Sequence, residues 1–305
     1  MIVYLARRLG AVGLILLGVT AVTYILLFLV PADPVMLMAG RSATPEVRES
    51  LRRELGLDRP LPVQYTLYVA RLAQGDMGRS FSQKAEVSYL IGARLPATLQ
   101  LMAAAIVFSL LVGLPAGIYA ATRRGRAADR AAMVASFAGV SAPQFVVGLL
   151  LLYLFAYKLG WLPMGGYGLV QIILPAATVA VANGGWYSRM MRSSMIEVLA
   201  QDYMRTARAK GLSRLRVVLG HGLRNAVLPV IAMIGIDMGY LITNIVIVES
   251  VFGWPGLGQL LWLGIQRLDY AIIIGVTVAA AVIITLANLL ADLAAPLIDP
   301  RIELR

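Results

Sequence analysis

Residues 9–30 form a run of 22 residues without a single charge. That run is the feature that most limits what this chain can become. A helix needs about 20 apolar residues to cross a hydrocarbon core roughly 30 Å thick, and lipid offers no partner to an unsatisfied backbone group. Five further segments read the same way: 95–122, 131–157, 170–188, 225–248 and 270–291. Composition agrees, since 59% of the 305 residues are hydrophobic and 14% are charged, against about a quarter charged in a soluble domain. The expected fold class is an all-α integral membrane protein with six transmembrane helices.

The first run follows Arg7-Arg8, as a signal peptide would. It is too long for an apolar region of roughly 7–15 residues, and "PADP" stands where small residues would mark cleavage. It is therefore read as a retained span. Pro115, Pro143 and Pro175 fall inside three of the other runs. Neighbouring helices can satisfy the carbonyls that proline frees, so these runs are kept as spans.

Cations set the orientation. With the N-terminus inside, segments 1–8, 123–130, 189–224 and 292–305 face the cytoplasm. They carry two, four, eight and two of the chain's 27 Lys and Arg, against five acids once Asp292 is assigned to the membrane boundary. The outer segments 31–94, 158–169 and 250–269 carry the other 11 cations with eight acids. Short positive inner loops and one long mixed outer loop satisfy the positive-inside rule, which places both termini inside. Trp161, Tyr167, Trp254 and Trp262 are expected in the outer aromatic belt. The domain plan is residues 1–30 for the N-terminus and first span, 31–94 for an extracytoplasmic loop, 95–291 for the remaining spans, and 292–305 for a cytoplasmic tail.

Several chemistries are excluded by the inventory. No cysteine is present, and a single histidine, His221, cannot form a two-histidine metal site within one copy. A Walker A loop requires lysine after glycine; Lys84, Lys158 and Lys210 all follow other residues. An intramembrane serine protease would need a base near its nucleophile, and His221 lies in a charged loop. Aspartyl chemistry would need two facing carboxylates, but Asp237 and Asp292 fall at different depths. A self-sufficient secondary transporter stays as the alternative from another class. Many such folds are built on inverted repeats, but no internal similarity is visible between residues 1–150 and 151–305, and the long basic loop would be unexplained.

The outer loop is too long to be a connector. "TPEVRESLRRELGL" predicts a helix capped by Thr44, begun at Pro45, stopped by Gly56 and packed through Val47, Leu51 and Leu55. "GDMGRS" reads as a turn. This loop is either a small lid over the outer mouth or a contact surface for a soluble partner.

The inner segment 189–224 is the other anomaly, with eight Lys or Arg and two acids, Glu197 and Asp202. A helix is expected from Met195 to Lys210, with Leu199, Tyr203 and Ala207 on one face, ended by Gly211. A second begins with Ser213 as its cap and carries Leu212, Leu215, Val218 and Leu219. A helix–turn–helix reader of DNA is one reading, but both ends are tied to spans and nucleic acid is excluded. The remaining readings are a basic helix on anionic lipid and a docking element for a cytoplasmic partner.

Nine motifs decide between these. "PADP" at 31–34, "LGLDRPLPVQY" at 55–65, "GDMGRS" at 75–80 and "RLPATLQL" at 94–101 come first. "SAPQF" at 141–145, "LGWLPMGG" at 159–166, the segment opening "QDY" at 201, "VESVFGWPGLG" at 248–258 and "DPR" at 299–301 follow. In this order the chain resembles the B-type permease of the dipeptide, oligopeptide and nickel group of ABC importers, and the likeness covers nearly its whole length. It departs from the family's general loop consensus at Arg205, where the leading Glu is expected, and at Thr206; Ala207 and Gly211 remain. Ala32 replaces the glycine of the family's "PGDP".

The resemblance implies a type I importer permease fold in the bacterial or archaeal cytoplasmic membrane, with a coupling helix docked in a cleft on an ATPase subunit. It implies as partners a second, C-type permease, two ATPases that hold ATP and magnesium, and an extracytoplasmic binding protein. This chain itself would hold no cofactor and perform no catalysis. Its coupling residues would be Tyr203, Arg205, Ala207, Arg208, Lys210, Gly211, Leu212 and Arg214. Gly211 lets the turn approach another backbone, Ala207 keeps the docking face thin, Tyr203 and Leu212 anchor it, and the cations pair with acids around the cleft. ATP binding would draw the coupling helices together and open the pathway outward, and hydrolysis would reset it. Polar groups within spans usually face a cavity or each other, so Gln144, Asn183, Asp237, Tyr240 and Asn244 are pathway candidates. Asp76, Glu249 and Trp254 are expected to brace the outer mouth. The expected cargo is a di- or oligopeptide, with nickel chelate, glutathione, opine or haem as alternatives.

Overall fold

The computed structural model describes residues 2–29, 34–39, 43–54 and 56–298, and among these it is helical, with one isolated bridge between Arg79 and Glu86. The helices are α1 (Ile2–Leu29), α2 (Pro34–Ala39), α3 (Pro45–Glu54), α4 (Leu61–Ala73), α5 (Val87–Thr122), α6 (Ala127–Ser141) and α7 (Gln144–Leu151). There follow α8 (Ile173–Leu199), α9 (Asp202–Ala209), α10 (Arg214–Arg216), α11 (Leu223–Ala226), α12 (Leu228–Phe252), α13 (Leu257–Arg267) and α14 (Tyr270–Ile298). The chain forms two compact units, Met1–Thr98 with Pro255–Leu286, and Leu99–Trp254 with Ala287–Arg305.

By length and composition, three stretches can cross a membrane unbroken: Val87–Thr122, Arg214–Gly235 and Tyr270–Leu289. Two more candidates are broken. The expected third span is α6 and α7, bent by 103° at Ala142-Pro143. Proline clashes with the helical conformation of the residue before it, and Ala142 is extended there, with φ −74° and ψ 129°. One straight span over 131–157 is therefore replaced by an angled pair, and α7 continues as a π-helical segment, Leu152–Lys158. Asp237–Phe252 with α13 is the second broken candidate, where Gly253 turns left-handed at φ 61°. Pro115 leaves α5 unbroken.

In the first unit, Val87, Leu90 and Ile91 of α5 pack on Leu257 and Leu260 of α13 and on Ile272, Val276 and Ala279 of α14. Asp269 ties this core to the "GDMGRS" turn. Its buried carboxylate accepts the Ser80 hydroxyl at 2.7 Å and the Ser82 amide at 3.0 Å. The turn has the expected form, with the Asp76 side chain accepting the Gly78 amide at 2.8 Å. The α3 helix starts at Pro45 as expected, but Val47 is 51% exposed and does not pack; the side chains of Leu51 and Leu55 lie outside the described residues. Helix α4 was not anticipated. It lies against α1, where the Tyr24 hydroxyl donates to Gln64 Oε1 at 3.0 Å and Thr20 bonds the Tyr65 hydroxyl at 2.9 Å.

In the second unit α8 is the central post, packed by α6, α7 and α12. Small residues allow close approach. A Cβ at Gly117 would lie 2.5 Å from the Ser188 carbonyl oxygen, and one at Gly185 would lie 2.6 Å from that of Ser136. Tyr187, Met191 and Met195 of α8 are wholly buried with Ala226 and Val230. Lateral contact through small residues is how helices associate where lipid removes the hydrophobic drive.

Candidate functional site

The basic inner segment is a compact joint built on the end of α8. The expected single helix over 195–210 is two: α8 ends at Leu199, the chain turns at Ala200-Gln201, and α9 begins at Asp202. Helix α9 is strongly two-sided. Met204 and Ala207 are buried and pack with Val217, Val198, Leu199 and Leu212, whereas Tyr203, Arg205, Arg208 and Lys210 are exposed. Ala207, expected on the docking face, thus packs against its own chain. Tyr203 does not share that face; its hydroxyl accepts a hydrogen bond from Asn225 Nδ2 at 2.9 Å.

The turn after α9 is the one the sequence demands. Gly211 sits at φ 76°, in the left-handed region, and nothing lies within 4 Å of where its Cβ would be. A side chain there would be strained, and the space beside it is open for another surface. Ser213 stands at the N-cap of α10 with extended backbone. A π-helical segment, Val217–Gly222, then leads into α11 and α12. Within it, Gly222 admits the tips of Met195 and Met204.

The four basic candidates divide by geometry. Arg205 is exposed and pairs with exposed Asp202 at 3.4 Å, and Lys210 is also exposed. Arg208 instead donates to the Leu199 carbonyl at 3.0 Å, and Arg214 donates to the Thr122 carbonyl at 2.8 Å. Leu199 and Thr122 close α8 and α5, whose last carbonyls have no partner within their own helices. Each arginine therefore caps a helix C-terminus, where a cation also suits the helix dipole. The sequence reading did not foresee these caps, because Thr122 is 92 residues from Arg214.

The loop between α5 and α6 is fixed by a charge pair that sequence reading also missed. Arg192 grips buried Asp129 with Nε to Oδ1 at 2.6 Å and Nη2 to Oδ2 at 2.7 Å. The Gly125 amide adds a third bond at 2.9 Å. A signal was present, since Asp129 is the sole acid among four arginines in 123–130.

The pathway candidates lie on α7, α8 and α12. Asp237 faces the wholly buried Tyr187 of α8. Tyr240, three residues on, is 74% exposed. Asn183 and Asn244 are half-buried, and the Gln144 Oε1 atom at the start of α7 is buried without a hydrogen-bond partner. Of the outer-mouth residues, Glu249 is completely buried and its carbonyl accepts the Trp254 amide at 2.9 Å. Trp254 is 1% exposed and meets the Tyr167 ring at a tilt, with centroids 5.0 Å apart. It is a core residue and no part of an aromatic belt, while Trp161 and Trp262 are exposed.

An all-helical chain of apolar spans, some broken at proline or glycine and linked by an exposed basic joint, has the fold of the permeases of ABC importers. It matches an inward-facing structure of the MetNI methionine ABC transporter with TM-score 0.57 at 19% identity, covering 69% of this chain and 96% of that one. An amino acid ABC transporter structure gives TM-score 0.51 at 18% identity, covering 70% and 95%. Family models match over residues 113–304, "Binding-protein-dependent transport system inner membrane component", and over 1–103, its N-terminal counterpart. The chain belongs to this family of binding-protein-dependent inner-membrane transport components, and it is a multi-pass protein of the cytoplasmic membrane. It is 40% identical over 304 residues to the glutathione transport system permease protein GsiC of Salmonella choleraesuis, covering 99% of both chains. A Brucella ovis protein bearing a peptide-permease name is 40% identical over 313 residues, covering 98% of both.

Proposed function

We propose that this importer permease subunit carries di- or oligopeptides and forms half of a translocation pathway. ATPase subunits drive it through the loop around 201–216. The observation that carries the coupling role is the form of that loop. Met204 and Ala207 root it in the protein, while Tyr203, Arg205 and Lys210 project outward beside an open left-handed Gly211. A rooted, rigid projection transmits displacement, whereas a mobile one would absorb it. In this reading six spans run with both termini in the cytoplasm, so the joint lies on the side where ATP is found; the positive short loops of the sequence support that orientation.

The cargo reading is supported by the names of two relatives, one a peptide-permease name and the other a glutathione transport permease. Glutathione is itself a short peptide, so a single chemistry covers both names. The partners in this reading are a second permease, two ATPases and an extracytoplasmic binding protein that delivers the cargo. The permease contributes no catalytic group; ATP and magnesium belong to the ATPases. Asp237, with Tyr240 and Asn244 on the same helix, lines the path with Gln144 and Asn183. Asp76, Glu249 and Trp254 brace the outer mouth.

The test is capture of the tagged chain from its native membranes in mild detergent, followed by mass spectrometry and peptide-uptake assays in vesicles. Recovery of a second permease with P-loop ATPases, and uptake that requires ATP, is the expected result. A chain that comes out alone and still supports uptake in ATP-free vesicles overturns the coupling assignment.

A further inference from the structure

A cavity of about 460 Å³ opens between the coupling joint and the end of α5, lined by Ala121, Thr122, Leu199, Arg208, Leu212 and Arg214, with Val217 and Val218. Its wall is of two kinds. The alanine, leucines and valines make an apolar floor, and the two arginines supply the charge.

Both guanidiniums are held in place, because each spends Nη2 on a helix-ending carbonyl. A guanidinium has five N–H donors, so most of each fork stays available. The charge balance favours an anion. Two helix C-termini contribute roughly half a negative charge each, against two full positive charges. Arg123, Arg124 and Arg126 follow directly on Thr122. The acids of these elements are engaged or aimed outward: Asp129 is held by Arg192, Asp202 is paired with Arg205 on the outer face, and Glu197 is exposed.

The depth of the cavity selects the anion. Thr122 ends a 28-residue uncharged run, 95–122, and Arg123 begins the charged loop; lipid headgroups lie at that boundary. A free phosphate would satisfy the arginines and leave the apolar floor wet. A lipid phosphate with its glycerol and upper acyl carbons would cover both. We infer that this cavity binds the headgroup of an anionic membrane phospholipid, its phosphate held by Arg208 and Arg214 and its glycerol region lying on Leu199, Leu212 and Val218. The lipid then bridges the end of α5 to the joint, and membrane composition sets how firmly the joint is seated. The binding itself does not depend on the coupling role.

The experiment is native mass spectrometry of the full chain, purified with whatever partners it retains, during titration with phosphatidylglycerol, phosphatidylcholine or inorganic phosphate. Wild type is expected to hold phosphatidylglycerol about tenfold more tightly than phosphatidylcholine, the scale of one or two charge-assisted bonds. The Arg208→Gln, Arg214→Gln double variant is expected to lose that preference, while Arg205→Gln, outside the cavity, keeps it. Photoreactive phosphatidylglycerol on wild-type protein is expected to label residues 199–218, a readout that needs no variant to fold. Equal binding of the two lipids by wild type, an unchanged preference in the double variant, or labelling confined to other segments overturns the inference. Displacement of the lipid by millimolar phosphate reassigns the cavity to a soluble anion. Displacement by added ATPase subunits reassigns it to an acidic side chain of that partner.

Discussion

Arg192 holds Asp129 across 63 residues of sequence with two parallel hydrogen bonds of 2.6 and 2.7 Å. The carboxylate is almost wholly covered, at 4% side-chain exposure against 26% for the arginine. This fork pins the start of α6 to α8 and so fixes where the α5–α6 loop meets the joint. Removing one member of a buried pair leaves the other uncompensated, at a cost of several kcal/mol. Partial exposure of Arg192 reduces that here. Asp129→Ala is expected to lower stability by about 2–3 kcal/mol, seen as an earlier melt in detergent. Arg192→Lys, which keeps the charge but loses the fork, should fall between. A melt unchanged in both variants would mean the pair contributes nothing.

Asp269 does comparable work in the other unit. Its carboxylate serves Ser80, the Ser82 amide and, at 3.4 Å, the Ile272 amide. Asp269→Ala should free the 79–86 turn and cost about 2–4 kcal/mol, from buried donors left unmade. Ser80→Ala should cost about 1 kcal/mol. Faster protease cleavage within 79–86 is the local readout, and equal cleavage in wild type and Asp269→Ala counts against this account.

Gly117 and Gly185 let helices touch backbone to backbone. Valine at either position must push α8 away from α5 or α6, because even a Cβ falls 2.5–2.6 Å from a carbonyl oxygen. Each substitution is expected to cost about 3 kcal/mol or more and to reduce membrane yield. Wild-type yield and melting temperature for both would show that the helices are not in such contact.

Gly211→Trp addresses coupling alone. Its open surroundings predict that the protein still inserts, while φ 76° and the added bulk disturb the turn at a local cost of about 1–2 kcal/mol. ATP-driven uptake is expected to drop at least tenfold at normal membrane level. Undiminished uptake at that level removes the turn from the docking surface.

Tyr68, on α4 outside the spans, is raised to about 12 by burial, with smaller contributions from Tyr65 and Tyr24. In the unfolded chain it would ionise near pH 10. Its raised value therefore leaves stability intact below pH 10, and that stability is lost as pH climbs towards 12. Tyr68→Phe should flatten the decline between pH 10 and 12. An equally steep decline in the variant would assign it to other groups.

Period and charge were enough to reveal the membrane class, the turn at Gly211 and the helix begun at Pro45. Each depends on a local rule: an apolar length, an αL glycine, a proline at a first helical position. Helix α4 escaped because its polar residues face α1 through Gln64 and Tyr65, a pairing across 40 or more residues. The two-part third span escaped for a different reason. Proline frees a carbonyl wherever it falls, but only the packing around it decides whether the helix continues, as at Pro115, or turns by 103°, as at Pro143.

The sequence by itself determined that this chain lives in a membrane and where its one basic joint lies, because both follow from the cost of placing charge in hydrocarbon. Only the tertiary structure decided what each residue of that joint does. Ala207 and Met204 turn inward, Tyr203 meets Asn225, and Arg208 and Arg214 close two helices while Arg205 stays outside. A side chain's role depends on which distant carbonyl or carboxylate the fold brings within about 3 Å of it, and no local pattern encodes that distance.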